Sequence, residues 1–142
     1  MMKKSTLVII ALGLLGGTVS ADLIGPLRGT LGPGTFNVVG SIFIYPNDSL
    51  TILPGTTLRF QSDYDFDIAG YIYAVGTEQD SIKFLRNPAS VRWNGIDFTA
   101  ADNNSILRYC VIEGSDCIGI NFTGCGPTVS RSTFINNNAG GG

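Results

Sequence analysis

Short apolar alternations recur along most of the chain, and this pattern constrains its fold more than any single motif. Examples are "SIFIY", "LTIL", "DFDIAG", "WNGIDF" and "IGINF", and clusters of Gly, Pro, Asn and Asp separate them. A period of two is typical of β-strands, because successive strand side chains point to opposite faces. No segment carries a convincing apolar helical stripe. The sequence therefore predicts an all-β protein.

Equivalent apolar positions recur at a nearly constant spacing of about two dozen residues. The pairs are Ile44 and Ile68, Phe60 and Phe84, Ile96 and Ile118, and Leu107 and Val129. A period in this range, with about three short strands per repeat, indicates a solenoid whose coils bury their apolar sides against one another. An antiparallel sandwich is the alternative, but it needs hairpin turns, and Asn94-Gly95 lies inside an apolar segment.

Four segments carry a family resemblance: "LTILPGTTLRF", "IAGYIYAVGTEQDSIKF", "WNGIDF" and "PTVSRSTFINNN". They resemble the right-handed parallel β-helix proteins of bacterial surfaces, which have the pectin-lyase-like fold. The resemblance covers residues 31 to 138 and implies an all-β, right-handed parallel β-helix solenoid of about four to five turns of 22–24 residues. It says little about activity, because enzymes, phage tailspikes, adhesins and non-catalytic repeats share this fold.

In such a solenoid the inward side chains form apolar columns along the axis. Ile118 and Ile120 point inward only if Asn121 points outward. The full predicted set of inward residues is Leu50, Ile52, Leu58, Phe60, Ile68, Ile72, Ile82, Phe84, Ile96, Phe98, Leu107, Ile112, Ile118, Ile120, Val129 and Phe134.

Residues 1–21 have the order of a secretory signal peptide. Lys3 and Lys4 precede an apolar run, and Val19-Ser20-Ala21 follows it. The apolar run is shorter than the roughly 20 residues that cross a bilayer, and no comparable run follows, so we expect no membrane span in the mature chain. The sequence predicts Sec-type export, an extracellular or cell-surface location, and a β-helix segment over residues 22–142.

The charge balance and the lack of histidine exclude several function classes. The 142 residues include 11 acidic and 9 basic side chains and no His. Removing Lys3 and Lys4 with the signal peptide leaves a net charge of about −4, without the basic footprint of a nucleic-acid-binding protein. Without His, neither a Ser-His-Asp triad nor a Cys-His pair nor an imidazole zinc site can form.

The three cysteines are too few for a four-thiolate metal site. In an exported protein they invite one disulfide and one leftover thiol. A bridge between Cys117 and Cys125 is disfavoured, because one straight strand over 118–122 would hold them up to about 25 Å apart, far beyond disulfide reach. Cys110 aligns with Ser132 in the repeat, so we expect a small buried side chain there.

Asp63, Asp65 and Asp67 occupy every second position of "SDYDFDI". A calcium loop of the EF-hand type does not fit, because Ile68 replaces the required Gly and Ala74 replaces the bidentate Glu. Strand residues two apart are roughly 6.5–7 Å apart, within the carboxylate range of inverting glycosidases, but every D-x-D strand shares this spacing. We interpret the triplet as a solvated strand face, with weak calcium binding and catalysis as the alternatives.

Tyr71 and Tyr73 share the outward parity of the acidic triplet, and Trp93 lies on a later segment. Exposed aromatic rings beside carboxylates suit sugar rings, which stack on the ring and donate hydroxyl hydrogen bonds. Ordinary strand composition is the alternative, because Tyr is a good strand former. The predicted glycan contacts are Tyr71, Tyr73, Trp93, Asp63, Asp65 and Asp67.

The function expected is that of a secreted or cell-surface structural or adhesion module. We expect it to contact polysaccharide or a cell-surface glycan without a cofactor and without catalysis of its own. A fragment of a polysaccharide lyase or glycoside hydrolase of the same fold is the alternative, with calcium as its cofactor. The polygalacturonases of this fold use a His-Gly turn and an Arg-x-Lys segment, and both are absent here.

The end of the sequence carries a further expectation. "STFINNNAGGG" follows a repeat-like strand without a polar capping element, although solenoids need capped ends. An open end exposes strand edges and apolar side chains to pairing. We therefore expect either a fragment of a longer protein or self-association through the open end.

Overall fold

The computed structural model describes residues 7–8, 21–87 and 92–138, so most of the predicted signal peptide lies outside the described residues. In this part of the chain all regular structure is β, and the predicted all-β class is confirmed. The strands are β1 (Leu7–Val8), β2 (Ala21–Leu31), β3 (Gly34–Ile44), β4 (Ser49–Ile52), β5 (Thr56–Phe60), β6 (Asp65–Ile68), β7 (Tyr71–Val75), β8 (Ile82–Arg86), β9 (Gly95–Thr99), β10 (Ile106–Arg108), β11 (Cys110–Glu113), β12 (Ile120–Thr123), β13 (Thr128–Ser130) and β14 (Thr133–Ile135).

Every described strand pair is parallel, and all pairs except β1 with β2 stack in three columns. The first column runs from β2 through β3, β5, β8 and β11 to β14. The second runs from the end of β3 through β6 and β9 to β12, and the third from the end of β2 through β4, β7 and β10 to β13. The chain visits the columns in turn, which is consistent with a β-helix-like solenoid.

The pairing order divides the strands into coils. They are β2, β3 with β4, β5 to β7, β8 to β10, and β11 to β13, and β14 opens the next coil. Among the described residues no helix is long and apolar enough to cross a membrane.

Two of the four predicted repeat matches are correct. Ile44 pairs in register with Ile68, and Leu107 pairs with Val129. Their offsets are 24 and 22 residues, as predicted. The offset between Leu107 and Val129 also places Cys110 opposite Ser132, whose Oγ accepts a hydrogen bond from the Cys110 N–H at 3.1 Å.

The other two matches are wrong, because loop length changes from coil to coil. Phe84 pairs with Leu58 rather than with Phe60, since the turn after β7 lengthens that coil. Ile96 pairs with Ile120 rather than with Ile118, which lies in the bend before β12. The offset is longest between β7 and β10, where Tyr73 pairs with Ile106, so the predicted period does not hold throughout.

The core fills the inside of the coils with apolar side chains. Most of the predicted inward residues are at most 1% exposed, and Phe60, Phe66, Phe84 and Phe98 are completely buried. Burying each such ring contributes roughly 1.5–3 kcal/mol relative to leaving it in water. The described residues leave no buried side-chain polar atom without a hydrogen-bond partner.

Cys110 is buried, as predicted. Its Sγ lies 3.5 Å from the Ala74 carbonyl oxygen, and burial raises the pKa of the thiol to about 12. Cys117 is exposed and Cys125 is half-buried, and all three cysteines are free.

The end of the stack, formed by β12, β13 and β14 and called the last coil below, differs from the middle coils because two of its inward aromatic rings are uncovered. Phe122 is 44% exposed and Phe134 is 47% exposed, although their register partners Phe98 and Ile112 are completely buried. The prediction that Phe134 is buried is therefore wrong, since no described strand stacks beyond β14. The prediction for Ile118 is also wrong, because this residue is 57% exposed.

Candidate functional site

The acidic triplet does not form one continuous strand row. Asp63 is exposed in the bend before β6, and Asp65 begins the strand. The Asp65 carboxylate accepts hydrogen bonds from Ser41 Oγ at 3.3 Å and from Asn94 Nδ2 at 2.7 Å. Since Ser41 and Asn94 belong to the preceding and following coils, Asp65 links three coils to one another.

Asp67 lies on the outer face of β6 beside a second carboxylate. Its register partner on β9 is Asp97, which accepts a hydrogen bond from Asn121 Nδ2 at 3.0 Å. Partial burial raises the pKa of Asp67, and the negative charges of Asp65 and Asp97 raise it further. Among the described residues no group of three or more acidic, Cys or His side chains is placed to hold a metal ion.

Tyr71 and Tyr73 lie on β7, in the third column, whereas Asp65 and Asp67 lie in the second. The Ala69-Gly70 turn separates the two strands. The structure therefore divides the predicted site between two faces of the solenoid.

The tyrosine rings themselves reach the surface of the third column. Tyr73 is 40% exposed between Thr51 and Ile106 on the neighbouring coils, and Tyr71 is half-buried. Their place on the outer face agrees with the strand parity.

Trp93 is buried, so the prediction of an exposed indole at this position is wrong. Its ring stacks on Phe60 with a centroid distance of 4.0 Å, and its Nε1 donates a hydrogen bond to the Glu113 carbonyl oxygen at 2.9 Å. Trp93 forms only an isolated bridge to Ser115, outside any strand. The local pattern therefore could not predict that its large ring fills the core between two coils.

A surface cavity of about 340 Å³ opens where the chain turns from the second column to the third. Tyr71 forms part of its wall and joins it to the tyrosine face of β7. Three successive coils each contribute a turn, and the lining residues are Pro46, Asn47, Asp48, Ser49, Ala69, Gly70, Tyr71, Ala100, Ala101 and Asp102.

Backbone hydrogen bonds tie the three turns together. The Tyr71 N–H donates to the Asp48 carbonyl oxygen, and the Asp102 N–H donates to the Gly70 carbonyl oxygen, each at 3.0 Å. A Cβ at Gly70 would collide with the carbonyl oxygens of Tyr45 and Asp48. Only glycine therefore fits this corner, and the cavity wall is fixed by main-chain contacts.

The side chains of the wall combine one aromatic ring with acidic and amide groups. Asp102 Oδ1 accepts hydrogen bonds from the Asn104 N–H at 2.8 Å and from Asn104 Nδ2 at 3.0 Å, which orders its turn. Asp48 and Asn47 come from the first of the three turns, and neither Lys nor Arg contributes to the described lining. Such a wall can stack a ring-shaped ligand on Tyr71 and accept hydrogen bonds from its hydroxyl groups.

The sequence does contain a signal for this site, although it is an indirect one. Asp48 and Asp102 lie in "YPNDS" and "AADNNS", two polar turn clusters that each precede a strand of the third column. Turn residues of this type mark loops, but their proximity to Tyr71 depends on the register between coils. The irregular period hides that register, so the sequence alone does not predict the cavity.

Comparisons with protein-family models, with curated proteins and with solved structures find no match for this chain. The resemblance to β-helix surface proteins therefore depends on the quoted sequence segments and on the parallel stacking of the coils.

Proposed function

We propose that this chain is an exported cell-surface module with a right-handed, pectin-lyase-like β-helix, which contacts polysaccharide without catalysing a reaction. The right-handed sense of the proposed β-helix is supported by a general rule. A crossover connection between parallel strands of one sheet is right-handed in about 98% of cases. The observation that carries the binding function is the cavity of about 340 Å³ beside Tyr71.

The cavity has the features of a shallow sugar site. Its volume lies at the lower end of the roughly 300–1,000 Å³ typical of ligand pockets. Tyr71 offers a ring face, and Asp48, Asn47 and Ser49 offer polar groups that can orient hydroxyls. Tyr73 extends the aromatic surface further along β7, outside the cavity, so an extended chain has a second ring to contact.

Catalysis is the weaker proposal. The cavity wall supplies the two carboxylates that a hydrolase would need. A lyase would need a basic group that abstracts a proton. No Lys or Arg is among the described lining residues, and Asp102 is held in its turn by Asn104. The alternative of a lyase or hydrolase fragment is therefore less well supported than binding.

The test is retention on a polysaccharide matrix. We expect Tyr71→Ala combined with Tyr73→Ala to weaken binding about tenfold or more, because both ring faces and about 1.4 kcal/mol or more of contact energy are removed. Tyr109→Ala is the matched control, since this half-buried ring lies beyond β10 between Arg108 and Arg131. Affinity electrophoresis through gels containing different polysaccharides measures the effect. Equal mobility of the double variant and the unchanged chain in every gel would reject the proposal.

We also propose that the chain self-associates through its last coil. Phe122, Phe134 and Ile135 are exposed there, and Arg131 is the one Lys, Arg, Asp or Glu in the sequence from 118 to 138. Two copies that meet on this surface would bury apolar side chains with little charge repulsion. Because both copies would use the same surface, such a contact is isologous and closes on itself. A closed pair is therefore favoured over an open filament.

A further inference from the structure

The charges around the cavity narrow the class of sugar that it can hold. Asp48 and Asp102 lie in its wall, in turns of two different coils. No lysine or arginine lies among the described lining residues. The second column of strands adds more negative charge, because Asp67 and Asp97 lie side by side on its outer face.

An acidic sugar fits this environment poorly. The carboxylate of a uronate unit stacked on Tyr71 would face like charges without a guanidinium or ammonium partner in the described wall. Such unpaired like charges weaken binding. The described residues also form no metal-binding group that could bridge two carboxylates.

A positively charged sugar fits well. A protonated sugar amine has three N–H donors and no acceptor, like a lysine ammonium, so it complements carboxylate and carbonyl oxygens. The Tyr71 ring can hold the pyranose face while Asp48 accepts from the amine, and cation–aromatic attraction adds to the contact. The Asp102 carboxylate contributes through its charge, since Asn104 already occupies one of its oxygens.

We propose that this cavity selects polysaccharides with free amino groups, that is, hexosamine units without an acetyl group. This inference depends on the proposed polysaccharide-binding function and specifies its ligand. It assigns Asp48 as the specificity-determining residue and Tyr71 as the ring platform.

The experiment compares three hexasaccharides that differ in charge: β-1,4-linked glucosamine, its N-acetylated form, and galacturonate. Dissociation constants are measured by calorimetry with the exported chain, with EDTA present, at a pH where the amine is protonated. We expect the glucosamine hexamer to bind at least about fivefold more tightly than the N-acetylated one, and its advantage to shrink in high salt. The galacturonate hexamer should bind least.

Asp48→Asn is the informative variant, because it removes the charge and keeps the shape of the side chain. We expect it to weaken binding of the glucosamine hexamer about fivefold while the N-acetylated hexamer is unaffected. Glu78→Gln is the control, since it changes the net charge equally at an exposed side chain outside the cavity. It should change affinity less than twofold.

The outcomes separate this inference from the proposed function. Tyr71-dependent binding that is strongest for the N-acetylated or the galacturonate hexamer would overturn the amine preference and leave polysaccharide binding in place. Equal effects of Asp48→Asn and Glu78→Gln would also overturn it. Binding of none of the three would overturn both proposals. Galacturonate binding that appears only when calcium replaces EDTA would also overturn the amine preference. The ligand would then be an acidic sugar held through a bridging calcium ion.

Discussion

The middle coils and the last coil carry the same kind of side chain at matching positions, yet their burial differs. Phe98 on β9 is completely buried, and its register partner Phe122 on β12 is 44% exposed. Strand alternation fixes the direction of both rings. Whether a ring is buried depends on the presence of a further coil, because in a solenoid each coil contacts only its neighbours. The direction of a side chain is therefore set by its own strand, whereas its burial is set by the neighbouring coils.

The largest expected difference concerns stability. Phe84→Ala removes a completely buried ring from a middle coil and should lower the free energy of unfolding by about 3–5 kcal/mol. Phe134→Ala removes a ring that is 47% exposed in the single chain, and a loss below about 1 kcal/mol is expected at concentrations too low for self-association. Chemical denaturation of both variants measures the difference. Similar losses would show that the last coil is covered in solution.

A smaller effect is expected on association. Phe122→Glu places a charge on the open face of the last coil and should convert the proposed pair into monomers, because burying an unpaired charge is costly. Sedimentation velocity over a range of concentrations gives the mass of the particle. Tyr73→Glu is the control, since Tyr73 is exposed to a similar degree on the side of the solenoid. Monomers at all concentrations in the unchanged chain would exclude self-association.

The smallest effect concerns Asp67, which lies on the outer face of β6. The stacking of the coils buries it only in part. Its pKa is raised above the ordinary value of 3.8, so ionisation is less favourable in the folded chain than in the unfolded chain. The stabilisation from the neutral carboxyl is fully present below the unfolded pKa and is lost as the pH rises through the folded pKa.

Asp67→Asn should therefore raise the melting temperature slightly at pH 7 relative to the unchanged chain, and the difference should vanish at acidic pH. Asp63→Asn controls for the loss of one negative charge. Thermal melts at both pH values provide the measurement. A variant that melts lower than the unchanged chain at pH 7 would contradict the prediction.

Much of the architecture follows from the sequence, because strand direction is local information. The alternation around Ile52, Ile68 and Leu107 predicts inward residues that are buried in the structure. The position of Cys110 opposite Ser132 follows from one constant offset. These inferences need only a period of two and short turns.

The candidate site can be predicted only in part, because it depends on register. The strand parity correctly predicts Tyr71 and Tyr73 on an outer face, but the acidic residues that line the cavity with Tyr71 are Asp48 and Asp102 and not the acidic triplet. Each lies in a turn of another coil, and coil length changes sharply along the third column. The prediction of an exposed Trp93 is wrong for a related reason, since the burial of this ring depends on Phe60, which belongs to an earlier coil.

Because its parallel strands stack in three columns, the molecule should resist force differently along the axis of the stack and across it. The hydrogen bonds between coils run along the axis of the stack. A pull along that axis loads the bonds of one coil at a time, so the last coil would peel away first. A pull across the axis loads many strands together in shear. A stack of this design would therefore resist a sideways force far better than axial tension.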